Sequence, residues 1–98
     1  MPTKKKCVFV VNPISGLGKQ KDLPDLIKHH LDTRLYEYEI VVTEYPGHAT
    51  EIGAHYRSQV DCLVAVGGDG TINETASALL DSDTTLGIIP LGSGNGFA

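Results

Sequence analysis

Three short loops in this 98-residue chain combine residues able to hold an anionic ligand. They are Asn12-Pro13-Ile14-Ser15-Gly16, Gly67-Gly68-Asp69-Gly70-Thr71 and Leu91-Gly92-Ser93-Gly94-Asn95-Gly96. Each is poor in bulky side chains and rich in small or hydroxyl residues. Glycine lets backbone N–H groups approach an anion closely and lets a loop take positive φ. Asp69 is the informative exception. A carboxylate beside a phosphate is unfavourable unless a cation neutralises both, so a role near Mg2+, directly or through water, is the simplest physical reason for it.

Each residue also has a plainer reading. Gly67 to Thr71 would serve as turn chemistry at a strand-to-helix junction, and Asp69 as a helix-start charge. Thr71 would either cap a helix or touch phosphate. Thr71-Ile72-Asn73-Glu74 has the pattern of a capping box, with the Glu74 carboxylate folded back onto the helix start. Thr43 would be an ordinary strand threonine unless it lines the same edge. Lys19 would reach a phosphate or simply sit on a helix surface. Neither Gly-x-Gly-x-x-Gly nor Gly-x-x-x-x-Gly-Lys-Ser/Thr occurs, so the dinucleotide fingerprint and the P-loop are excluded.

The elements that must position these loops follow from period and punctuation. Residues 6–12 and 61–66 are short apolar runs of the kind found in strands buried on both faces. Residues 36–43 alternate before turning apolar, which suits a strand nearer the sheet edge. Residues 84–90 form a fourth strand. Leu23, Leu26, Ile27 and Leu31 mark one face of a helix over about 20–33, with Pro24 in its first turn. Ala49, Ile52, Gly53 and Tyr56 mark a second helix, broken from the preceding strand by Pro46 and Gly47. A third carries Ile72, Ala76, Leu79 and Leu80 on one side. Strand–loop–helix repeated three times, then a strand, predicts an α/β fold with a parallel sheet, helices on both faces, and all three loops at the carboxyl edge. Helices following the first two loops would add their positive N-terminal ends there.

Composition sets limits. The chain is 41% apolar and 20% charged, with net charge −4. That balance argues against a broad basic face for nucleic acid, and Lys4, Lys5 and Lys6 read as a solvated terminus. No apolar stretch approaches the roughly 20 residues that span a bilayer, and no secretory signal is present, so a cytoplasmic protein is expected. Cys7 and Cys62 sit in apolar runs and read as core thiols rather than a disulfide. His29, His30, His48 and His55 lack metal-ligand spacing, so no protein-only metal site is expected.

Taken together, Asn12-Pro-x-Ser-Gly16, Gly67-Gly-Asp-Gly-Thr-x-Asn-Glu74 and Pro90-Leu-Gly-Ser-Gly-Asn95 resemble the diacylglycerol kinase catalytic domain, a family that includes bacterial lipid kinases and sphingosine kinases. The order and spacing match along nearly the whole chain. Gly-Gly-Asp-Gly-Thr alone is shared with NAD kinases and, more loosely, with phosphofructokinases; the first and third motifs favour the lipid branch. The resemblance implies a phosphofructokinase-like front domain that binds ATP, followed by a β-rich rear domain. ATP contacts would fall on Asn12, Pro13, Ile14, Ser15, Gly16, Thr43, Gly67, Gly68, Asp69, Gly70, Thr71, Ile72, Asn73 and Ser93. Ser93 stands where members often carry threonine, and Gly96 where many carry aspartate. The family's general base and structural Mg2+ ligands belong to the rear domain, outside this chain.

The expected protein is therefore an ATP- and Mg2+-dependent lipid kinase, transferring the γ-phosphoryl group to a diacylglycerol-like or sphingoid alcohol. Asp69 is its catalytic candidate, and its membrane contact would be peripheral, at the inner face. The chain reads as cut rather than finished, and apolar surface meant for a second half would favour self-association. An NAD kinase and a non-catalytic nucleotide-binding module are the alternatives. The 98-residue piece alone is expected to lack activity. A phosphoryl-transfer assay on the isolated chain checks this, and robust turnover would contradict it.

Overall fold

A computed structural model describes residues 4–12, 25, 27, 29, 31–32 and 34–90. Four strands form one sheet: β1 (Lys5–Val11), β2 (Tyr36–Val42), β3 (Cys62–Gly67) and β4 (Thr85–Pro90). All pairings are parallel, and the spatial order is β2-β1-β3-β4. Helix α1 (His48–Tyr56) joins β2 to β3, and α2 (Asp69–Ala78) joins β3 to β4. Each strand begins and ends within about one residue of its expected bounds, because continuous apolar runs leave little choice of register when both faces are buried.

Position in the sheet explains each strand's composition. The central strands β1 and β3 are buried along almost their whole length. The edge strand β2 alternates between half-buried and exposed residues over its first half, as its sequence does. Pairing of Cys7 with Cys62, Phe9 with Val64 and Val11 with Val66 places these residues on one face. That face packs with Ile27, whose neighbours at 25 and 29 are also helical. Val8, Val10 and Leu63 point the other way, against Ala49 and Ile52 of α1 and Leu79 after α2. Helical residues thus cover both faces. Of the helix expected over 20–33, residues 20–24, 26, 28, 30 and 33 lie outside the described residues, Pro24 among them. The bend at Leu31 follows a hydrogen bond from its N–H to the Ile27 carbonyl (2.7 Å).

Cys7 and Cys62 are free thiols on directly opposed positions. Burial, with Cys62 and Asp61 adding to it, pushes the Cys7 thiol up to about 11. It therefore behaves as a small apolar side chain.

The α1–α2 contact corrects the expected face of α2. Thr71, Thr75 and Ala78 are its buried residues, whereas Ile72 and Ala76 are half-buried and Leu80 is exposed. Thr75 is fully buried because its Oγ1 donates to the Thr71 carbonyl (2.8 Å), which satisfies the hydroxyl within the helix. Counting only apolar residues misplaces the helix face, since a back-bonded threonine packs like valine. A Cβ on Gly53 would stand 2.5 Å from the Ala78 Cβ, so the two helices touch at glycine.

Gly53→Ala is expected to destabilise the fold by about 2 kcal/mol, because overpacking outweighs the roughly 1 kcal/mol gain in helix propensity. Urea unfolding checks this; an unchanged or raised midpoint would show that α1 and α2 have room between them.

Candidate functional site

The chain order creates the site. From β1 the chain first adds β2 on one side, then crosses back over β1 to add β3 on the other. The connections leaving β1 and β3 therefore diverge, opening a crevice at their carboxyl ends. The sheet ladder continues just past the strands. Asn12 N–H donates to the Val66 carbonyl (3.0 Å), and Thr43 N–H donates to the Val11 carbonyl (2.8 Å). These two bonds set Asn12 and Thr43 beside the start of α2.

A cleft of about 310 Å³ opens there, with Asn12, Thr43, Gly70 and Thr71 on its walls. Gly67 lets those walls close up. A Cβ at Gly67 would lie 2.9 Å from Thr71 Oγ1 and 3.2 Å from Asn12 Cβ. Gly68 is the residue before α2, in extended conformation with no side-chain cap, and its carbonyl accepts the Ile72 N–H (3.1 Å). The first N–H groups of α2, at Asp69, Gly70 and Thr71, precede that first bond and have no partner within the helix. They give this end of the cleft positive potential.

The capping box is not formed. The helix begins at Asp69, three residues earlier than that pattern requires, which puts Thr71 inside its first turn and 5% exposed. Glu74 does not fold back. Its Oε2 accepts the Gly47 N–H (3.2 Å) at the start of α1, and its carbonyl lies 3.5 Å from Thr50 Oγ1. Gly47 has φ +89°, a left-handed conformation that disfavours the usual capping side chains, so the cap of α1 is supplied from α2.

The remaining wall comes from the β2–α1 connection. Glu44, Tyr45 and Pro46 line the cleft together with Glu74. Glu44 N–H donates to His48 Nδ1 (2.9 Å), and the His48 ring stacks on Tyr45 with centroids 4.3 Å apart and planes 12° apart. Tyr45 Oη donates to Glu51 Oε1 (2.9 Å), a bond to a carboxylate that raises the phenol's pKa above its ordinary value. Sequence motifs alone do not point to Glu44, Tyr45 or Pro46, and Pro46-Gly47 reads there only as a chain break. The usable signal is position, because residues just after a parallel strand share the carboxyl edge with every other such loop.

Of the residues expected to bind a ligand, the structure brings Asn12, Thr43, Gly67, Gly68, Gly70 and Thr71 together. Asp69 is exposed at the start of α2, Ile72 is half-buried, and Asn73 is exposed in the next turn. Pro13, Ile14, Ser15, Gly16 and Ser93 lie outside the described residues, as does Lys19. Among the described residues no helix is long and apolar enough to cross a membrane.

Comparison with known proteins gives a consistent picture. The family model for the diacylglycerol kinase catalytic domain matches residues 6–98. A diacylglycerol kinase of Bacillus subtilis is 36% identical over 104 aligned residues, which cover 96% of this chain and 32% of that protein. A diacylglycerol kinase of Staphylococcus epidermidis is 39% identical over 99 residues, covering 96% of this chain and 31% of the relative. A crystal structure of a diacylglycerol kinase from Bacillus anthracis superposes with a TM-score of 0.72 at 30% identity, over 99% of this chain and 36% of that one. The chain thus spans about a third of the length of these relatives.

Glu74→Ala is expected to cost about 1 kcal/mol of stability by leaving the α1 N-terminus without its acceptor. Glu74→Gln, which keeps an oxygen there, should cost less than half as much. Chemical denaturation of the two variants checks this, and equal losses would show that the acceptor is unimportant.

Proposed function

Because the chain belongs to the diacylglycerol kinase catalytic domain family, we propose that it supplies the ATP-binding part of a lipid kinase. The reaction is transfer of the γ-phosphoryl group to the hydroxyl of a diacylglycerol-like or sphingoid lipid. One observation carries this reading. Asn12, Thr43 and the Gly67–Thr71 turn, far apart in sequence, line or underlie a single cleft where the N-terminus of α2 meets the sheet's reversal point.

In this reading the polyphosphate lies across the first turn of α2, where the N–H groups of Asp69, Gly70 and Thr71 point outward as donors. Among the described residues, nothing beyond Gly70's own chain neighbours and helix backbone stands within 4 Å of where its Cβ would be, which leaves phosphate oxygens room to approach the backbone there. Asn12 and Thr43 orient the nucleotide from the strand ends. Mg2+ is ordinarily held by one or two carboxylates together with phosphates and water, and the exposed carboxylate of Asp69 fits that donor set. The ion would neutralise charge on the transferring group. Residues 13–16 and Ser93 complete the contact set in this proposal. Lipid recognition and removal of the acceptor proton are assigned to the remainder of a longer protein, in keeping with the share of the relatives that the chain spans. These residues catalyse by positioning the nucleotide and stabilising charge, which together account for most of the rate gain in phosphoryl transfer.

The test uses the full-length protein with Mg2+ and ATP, offered diacylglycerol in mixed micelles or NAD in solution. Phosphorylation of the lipid alone is expected. Asp69→Asn should lower kcat/KM by on the order of 100-fold while ATP binding measured without Mg2+ stays the same. Phosphorylation of NAD, or full activity of the variant, would defeat the proposal.

A further inference from the structure

We propose that Tyr45 is the stacking platform for the base of the bound nucleotide, an inference that rests on the nucleotide reading above. In that reading the phosphate-holding features lie at Asn12, Gly70 and Thr71, and the other described wall, formed by the β2–α1 connection, is open to the base. Tyr45 is the aromatic side chain on those walls among the described residues. It is 49% exposed although it follows a buried threonine two residues earlier in the chain. An exposed aromatic ring is ordinarily mobile, but this one is held at two points, and one of its supports is itself fixed. One face lies on the His48 ring at 4.3 Å. Its hydroxyl is anchored on Glu51 at 2.9 Å. His48 itself is fixed by the Glu44 N–H at 2.9 Å. Glu51 and His48 both belong to α1, whose start is capped by Glu74 of α2.

A ring braced in this way presents a flat apolar surface without further loss of side-chain freedom on binding. That is the property a nucleobase subsite needs. Stacking on one aromatic face reads ring area rather than hydrogen-bond pattern. The platform should therefore favour purine over pyrimidine nucleotides, with little choice among purines from Tyr45 itself. His48 acts through Tyr45 and is a positioning residue.

The experiment is calorimetric titration of the full-length protein and its variants with ATP, UTP and inorganic triphosphate, all with Mg2+. Tyr45→Ala should weaken ATP about ten-fold, leave triphosphate unchanged and shrink the preference for ATP over UTP. Tyr45→Phe and Tyr45→Trp should keep ATP affinity within about three-fold, since the ring persists; thermal melts identify any variant that fails to fold, and these two conservative changes keep the question open to refutation in that event. Equal weakening of ATP and triphosphate in Tyr45→Ala would mean that the ring only supports the loop. Unchanged ATP affinity, or a wild-type protein that binds ATP no more tightly than triphosphate, would also overturn the platform while leaving the phosphate site standing. A wild-type protein that binds neither ligand would overturn the nucleotide reading and the platform together.

Discussion

Everything at the functional edge depends on the parallel pairing of β1 with β3. The five register pairs from Cys7–Cys62 to Val11–Val66 place the two central strands side by side. The Asn12 N–H continues that ladder onto the Val66 carbonyl. Because the chain leaves these neighbours in opposite directions, no helix can cover the gap above their carboxyl ends. The cleft is therefore a consequence of topology before it is a consequence of any side chain. Burial of Val8, Val10, Val11, Leu63 and Val66 fixes the pairing, since a slip by one residue would turn each apolar set toward the wrong face.

The layer of α1 and α2 converts that gap into a shaped site. Gly53 brings the helices into contact, and Thr75 fills their interface with its hydroxyl already bonded. Glu74 then reaches from α2 to the first turn of α1. These contacts couple the wall that carries Tyr45 to the helix whose N-terminus faces the cleft. The same carboxylate lines the cavity and caps a helix, which illustrates how a residue near a site can be structural in its first duty.

The electrostatic character of the cleft is unusual for the anion site proposed there. Its described lining includes Glu44 and Glu74 but no lysine or arginine, and the chain as a whole carries net charge −4. In the proposed reading, attraction for a polyphosphate comes from oriented backbone N–H groups at α2 and from a bound cation. Such fixed dipoles lose nothing to reorientation when the ligand arrives. Asp69, exposed at the helix start, then has two compatible roles, favourable interaction with the helix dipole and attraction of the cation.

The sequence by itself determined the strands, their parallel arrangement and the edge to which the glycine loops belong. Apolar runs such as 62–66 and alternation such as 36–40 encode burial directly, and strand–helix alternation admits few topologies. It also exposed Thr43 as a candidate, through its place at the end of a strand. Only the tertiary structure decided which partners the polar side chains take. Glu74 satisfies either its own helix or a neighbour's, and the local pattern is the same in both cases; the start of α2 at Asp69 carried Glu74 past the third helical position and within reach of the Gly47 N–H. Thr75 became a core residue because a carbonyl one turn back and a glycine on the facing helix gave it a place, and Thr71 because Gly67 leaves room for its side chain. Tyr45 joined the cleft wall because His48 and Glu51 of α1 hold its ring there. Local sequence encodes burial periodicity; long-range hydrogen-bond pairing depends on distances that exist only after the chain has folded.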